Sequence, residues 1–188
     1  MARGKRPQLP LSEEPSLTVH RSSVYIGETA TIEVGAGEHK QTFYVRRDLL
    51  SYYSGYFKAA LHGNFAEAGS GIVKLDTEEP SVFEGFVKWL YTRRARSDEI
   101  NADTGRDHFM SVVKLWIFAD RRDIPLLMNE MIDRLQQCIV TLWCVPGGTL
   151  REVYDNTTAG CALRRMIVDI YKSTSGETLA KAMTEDPS

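Results

Sequence analysis

The feature that most constrains this chain is a switch of period. Thr31, Ile32, Glu33 and Val34 alternate polar and apolar, Gly35-Ala36-Gly37-Glu38 supplies turn chemistry, and Thr42, Phe43, Tyr44 and Val45 form a second strand-like run. Alternation on both sides of a glycine-rich turn predicts a β-hairpin. A third short strand is predicted at Val73-Lys74-Leu75, closed by Asp76-Thr77 and Pro80. The remaining periodic segments follow the helical spacing instead. Phe83, Phe86, Val87, Leu90 and Tyr91 make one face after a Pro80-Ser81 start, and Phe109, Val112, Val113, Trp116 and Ile117 repeat the template. Leu127, Met131, Leu135, Cys138 and Leu142 predict a helix ended by Pro146-Gly147-Gly148, and Leu163, Met166, Ile167, Ile170 and Tyr171 predict a last one. The polar stretch from Thr92 to His108 reads as a surface loop.

The segment Asp48 to His62 is unlike the others because its apolar residues occupy two faces. Leu49, Tyr53, Phe57 and Leu61 form one stripe; Tyr52, Tyr56 and Ala59 form a second beside it. A helix greasy on two sides must be covered on two sides. Two readings stand: a central core helix, or a helix whose second face meets a partner subunit.

Composition narrows the classes. With 188 residues, 43% of them apolar, the chain suits one domain with tails. Twenty-five acidic against 23 basic residues leave a net charge of −2, too balanced for phosphate-backbone binding, so no nucleic acid is expected. Three cysteines, Cys138, Cys144 and Cys161, at irregular spacing are neither a disulfide framework nor a zinc knuckle. A cytoplasmic or nuclear location is expected from this, and no apolar run approaches the roughly 18 to 20 residues needed to span a bilayer. Asn156-Thr157-Thr158 then reads as a chance glycosylation sequon in a loop. Met1 to about Arg21 carries three prolines and no apolar period and reads as a solvated tail, with Arg3, Lys5 and Arg6 as an alternative import patch.

No phosphate-binding glycine loop, nucleophile elbow or zincin helix occurs in the chain. His20, His39, His62 and His108 are scattered, and no metal, cofactor or catalytic residue is expected. Cys138 and Cys161 sit on or beside apolar stripes as small hydrophobes. Asp76, Glu78 and Glu79 read as carboxylates favouring the start of the Pro80 helix, and Arg93-Arg94-Ala95-Arg96 as a solvated loop. An enzyme is therefore not expected.

The order of elements and several motifs resemble the BTB/POZ domain. The family's aromatic-x-Val, basic pair, Leu and Ser-x-Tyr-Phe pattern is met as Phe43-Tyr44-Val45-Arg46-Arg47, Leu50 and Ser54-Gly55-Tyr56-Phe57. Its later pattern is met as Ile72-Val73-Lys74-Leu75-Asp76, Pro80, Phe83 and Leu90-Tyr91-Thr92. The match covers about Glu28 to Gln137, and the flanks are similar in composition to fungal-type, stand-alone members. Three departures stand out: Arg46 replaces the usual His, the acidic residue of the first strand is replaced by Thr29 or shifted to Glu28, and Arg93 replaces a Gly, affecting only a loop.

The resemblance implies an α+β fold in which a short three-stranded sheet is capped by a cluster of helices, with a C-terminal helical extension. The organisation expected is a disordered tail over 1–25, a BTB/POZ domain over 26–140, and a helical extension with a flexible C-terminus over 141–188. If the extension docks, it is expected near Leu135 and Leu142. It also implies protein partners, commonly a second copy, and in many members a cullin scaffold of a ubiquitin ligase. Cullin-binding members carry a hydrophobic-x-Glu motif, matched here by Phe65-Ala66-Glu67, which nominates Phe65 and Glu67 for docking. Phe65 could instead tuck back over the core. Self-association is expected through Leu49, Tyr52 and Tyr56. Alternatives are a self-associating scaffold or a transcription-associated protein with no ligase link.

Overall fold

A computed structural model describes residues 27–63, 65–93, 105–142, 145, 146 and 148–172. β1 (Thr29–Val34) and β2 (Gln41–Arg46) form the expected hairpin, paired antiparallel from Thr29 opposite Arg46 to Val34 opposite Gln41. The turn adopts positive φ at Gly35 and Gly37, where a side chain would be strained. β3 (Ile72–Leu75) lies parallel to β1 on its other side, giving the order β2-β1-β3. The period-two pattern sends Ala30, Ile32 and Val34 into the core with Val45, Val73 and Leu75.

The two-faced segment is two helices, not one. α1 (Arg47–Tyr53) stops at Ser54, whose φ of −126° and ψ of 121° are extended, and α2 (Gly55–His62) begins anew. The Ser54 hydroxyl accepts from the Phe57 amide at 3.1 Å and donates to the Arg122 carbonyl at 2.6 Å. A hydroxyl that can cap a new helix and reach a distant carbonyl outcompetes continuation of the old one. The Gly55 amide donates to the Asp123 carbonyl at 3.1 Å, and a Cβ at Gly55 would collide with the Asp123 carboxylate. α3 (Ala66–Ser70), a single short helix, was not legible in the sequence.

α4 (Pro80–Thr92) starts at the predicted proline. Phe83, Phe86 and Leu90 are buried as expected, joined by Trp89, while Tyr91 stays partly exposed and its hydroxyl accepts from the Arg46 amide at 3.2 Å. The core is an aromatic cluster: the Phe83 ring lies 4.9 Å from Phe43 and 6.0 Å from Phe118, and the Phe86 ring lies 5.1 Å from Phe118 and 6.1 Å from Phe57. Each such pair adds about 0.5–1.5 kcal/mol beyond its area burial.

Glu78, which stands just before Pro80, is also an ion-pair acceptor for two arginines beyond the reach of local spacing. It is buried, 3.0 Å from an Arg122 nitrogen and 3.4 Å from Arg121, and the N-cap position of α4 has no side-chain cap. Glu79 pairs with Lys114 at 2.5 Å. These carboxylates tie the start of α4 to α5 (Gly105–Arg121).

On α5 all five predicted stripe residues are buried, as are Leu127, Met131, Leu135 and Cys138 on α6 (Pro125–Leu142). α7 (Thr149–Asn156) was not predicted, because its eight residues lie directly after the helix-ending Pro146-Gly147-Gly148; the predicted last helix, α8, spans 162–172. Within the extension, α7 packs on α5. The Thr149 hydroxyl lies 3.4 Å from the Met110 sulfur, Arg121 donates to the Asn156 side chain at 2.6 Å, and Val153, Leu163 and Ile167 are fully buried. The Asn156 amide nitrogen is held by the Glu152 carbonyl at 2.9 Å, which ties down the sequon. The side chain of Leu142, the 1–25 tail, Cys144 and the basic run beyond Arg93 lie outside the described residues.

Arg93 does more than occupy a loop. Its φ of 55° is the left-handed geometry that favours glycine, and its guanidinium stacks 4.4 Å over Tyr53 and 4.2 Å over Trp89. Each such contact is worth about 0.5–1 kcal/mol at an exposed site, which offsets the backbone cost.

Glu78→Ala leaves the nearly buried Arg122 without its carboxylate, and is expected to destabilise the fold by about 2–3 kcal/mol, less than a fully buried pair because Arg121 is partly solvated. Denaturant unfolding of the variant against wild type measures it; a difference within 0.5 kcal/mol, about the size of an ordinary surface change, refutes this role.

Candidate protein-interaction surface

The nominated site is assembled at the corner where β2 turns into α1. Arg47 opens α1, its backbone amide donates to the Glu28 carbonyl at 2.9 Å, and its guanidinium lies 3.5 Å from the Glu28 carboxylate. Glu28 is thus the carboxylate that faces this arginine. The same guanidinium donates to the Leu61 carbonyl at the end of α2 and, at 3.2 Å, to the Ala68 carbonyl in α3. Arg46 donates to the Gly27 carbonyl.

Between Leu61 and Ala68 the chain turns sharply at Gly63. A Cβ there would run into the Ala59 carbonyl, and it would also lie 3.3 Å from the Phe65 ring. Phe65 occupies the N-cap position of α3 with extended backbone, and its side chain is 62% exposed. It points outward rather than tucking over the core. Glu67 lies in the first turn of α3, half-buried, and its carbonyl accepts from the Gly71 amide at 2.8 Å. Gly71, with φ of 67°, ends the helix in left-handed geometry.

The second nominated group divides. Leu49, expected to meet a second copy, is 2% exposed and belongs to the same buried core as Phe57 and Leu61. Tyr52 and Tyr56 remain on the surface, 54% and 37% exposed. Neither is loose. The Tyr52 ring packs edge-on at 4.7 Å against Tyr53, and Tyr56 lies 5.2 Å from Phe57 with the Arg122 guanidinium 4.8 Å over its face. Because Arg122 is itself held by Glu78, Tyr56 is a preordered aromatic surface.

Sequence reasoning missed two exposed groups. Tyr44, 72% exposed, and Ile72 both pair with Thr31 from opposite sides and form a row across the outer face of the sheet. The signal was present: Phe43 and Val45 point inward, so Tyr44 between them must point out. Arg47 was also missed, since nothing in a sequence shows which distant carbonyls an arginine reaches.

An open groove of about 670 Å³ is lined by α4, α5 and α6, with Val82, Leu115 and Met131 among its apolar residues and Lys88, Arg134, Glu84 and Asp107 among its charged ones. None of the nominated residues lines it. Among the described residues no three His, Cys, Asp or Glu side chains gather as a metal site, and no helix is long and apolar enough to cross a membrane. Among the described residues two ionisable groups are shifted. A hydrogen bond from Lys40 at 2.9 Å holds the Glu33 carboxyl below its ordinary range, and burial pushes the Cys138 thiol up.

Residues 27–113 match the family model of the BTB/POZ domain. A BTB/POZ domain-containing protein of Arabidopsis thaliana is 24% identical over 113 residues, 60% of this chain. The chain spans 13% of that protein's length.

Cys138 combines full burial with a raised thiol pKa, so at neutral pH it is both protonated and shielded. Iodoacetamide is expected to leave Cys138 unlabelled in the native protein and to label it in denaturant, read by peptide mass mapping; native labelling at the rate of the denatured chain refutes the packing described for α6.

Proposed function

We propose, from the premise that residues 27–113 are a BTB/POZ domain, a family of protein-interaction modules rather than of enzymes, that this chain is an adaptor that docks a cullin through Phe65 and Glu67. The observation that carries the reading is the outward Phe65 at the N-cap of α3, with Glu67 two residues further on, in the first turn of that short helix. An aromatic side chain standing free of its own core can fill a partner's pocket, and such anchors dominate interface energies. The near-neutral net charge of −2 suits recognition by shape and aromatic anchors. A substrate would then be held by the tail or by the C-terminal extension, in the cytoplasm or nucleus.

The preordered Tyr52 and Tyr56 support a second reading, self-association, either beside cullin docking or as a scaffold or transcription-associated role without it. Rigid tyrosines lose little rotamer freedom on binding, which favours them at interfaces.

Phe65→Ala with Glu67→Lys is expected to abolish co-precipitation of a cullin from cell extract; unchanged recovery refutes the docking reading. For the second, equilibrium sedimentation at tens of micromolar is expected to show a dimer that Tyr52→Ala with Tyr56→Ala shifts toward monomer, and a wild-type monomer under the same conditions ends that reading.

A further inference from the structure

We infer that Arg47 is the positioning residue of the Phe65–Glu67 segment, bracing it from outside the segment's own sequence; this deepens the docking reading and rests on it. Its planar guanidinium touches three elements at once. One nitrogen donates to the carbonyls of Leu61 and Ala68, which bracket the segment in the chain, and the other faces Glu28 at 3.5 Å. Leu61 is in the last turn of α2 and Ala68 in the last turns of α3, where carbonyls have no partner within their own helix. A cation there satisfies both and favours the negative ends of both helices.

The segment needs an external brace because little in it is self-supporting. α3 has five residues, too few to hold together by its own hydrogen bonds, and Phe65 caps it with no side-chain acceptor. The turn at Gly63 leaves the Phe65 ring beside bare backbone. Arg47 is itself fixed: it follows β2 directly, its amide is bonded to Glu28, and its side chain is only 21% exposed. The fork therefore transfers the rigidity of the sheet corner to the docking segment. A preordered anchor avoids the entropy of ordering the loop at the moment of binding. Lysine keeps the charge and most of the stem but is a point donor, and it cannot present a planar fork to two helix ends and Glu28 together.

The test compares the full-length wild type with Arg47→Met, Arg47→Lys and Phe65→Ala by amide hydrogen exchange and by affinity for a purified cullin. Arg47→Met is expected to speed exchange of the amides of residues 65–71 about tenfold while β1 and α4 keep wild-type protection. Its cullin affinity is expected to fall about tenfold, with Arg47→Lys between it and wild type. Unchanged exchange at 65–71, or an increase shared equally by β1 and α4, overturns the positioning role; so does wild-type affinity of Arg47→Met when Phe65→Ala abolishes binding. If Phe65→Ala binds the cullin like wild type, the docking reading fails, and the exchange pattern still decides whether Arg47 braces the segment.

Discussion

Much of the arrangement follows from the lock between the α1–α2 break and the α5–α6 corner. Ser54 and Gly55 bond to the carbonyls of Arg122 and Asp123, two residues in the turn between the long helices. Asp123 accepts left-handed backbone with φ of 49° to make that turn, and Gly55 leaves room for its carboxylate. The break swings α2 so that Phe57 enters the aromatic core beside Phe86 while Tyr56 stays outside, stacked on Arg122. Glu78 then holds Arg122 from the α4 side. A handful of hydrogen bonds worth about 1 kcal/mol each thus decides which aromatics are core and which are surface.

Arginines carry much of the remaining organisation, and each does so by geometry rather than by charge alone. Arg122 stacks on Tyr56 and pairs with Glu78; Arg93 stacks on Tyr53 and Trp89; Arg47 forks between two helix ends. Arg164 does the same for the extension, lying 4.5 Å over Tyr154 and donating to Thr157 at 2.9 Å. A planar, always charged group that can stack and bond at once suits positions half in and half out of a small core. This is how a chain with nearly equal numbers of acids and bases uses its cations internally.

The strands and the four long or amphipathic helices were legible because each buries one face against a common core, and burial of one face leaves a periodic trace. Leu49 shows the limit. Its spacing puts it on the stripe with Tyr53, Phe57 and Leu61, yet at i, i+3 and i+7 it also adjoins Tyr52 and Tyr56; only the packing of α1 shows that it lies inside while those tyrosines face out. Glu78 shows another: a carboxylate before a helix suggests the dipole, and only the approach of α5 reveals two arginines as well. α3 and α7 are too short for their spacing to be distinguished from loop.

By itself the sequence determined the three strands, the inward phase of Ile32, Val45 and Val73, the helical stripes, and the motif Phe65-Ala66-Glu67, since each depends on residues close in the chain. Tertiary structure alone decided that Phe65 stands clear of the core, that Leu49 does not, and that Arg47 joins α2 to α3. Those outcomes depend on which carbonyls and rings from distant segments arrive at the same place, a matter of packing that no local spacing records.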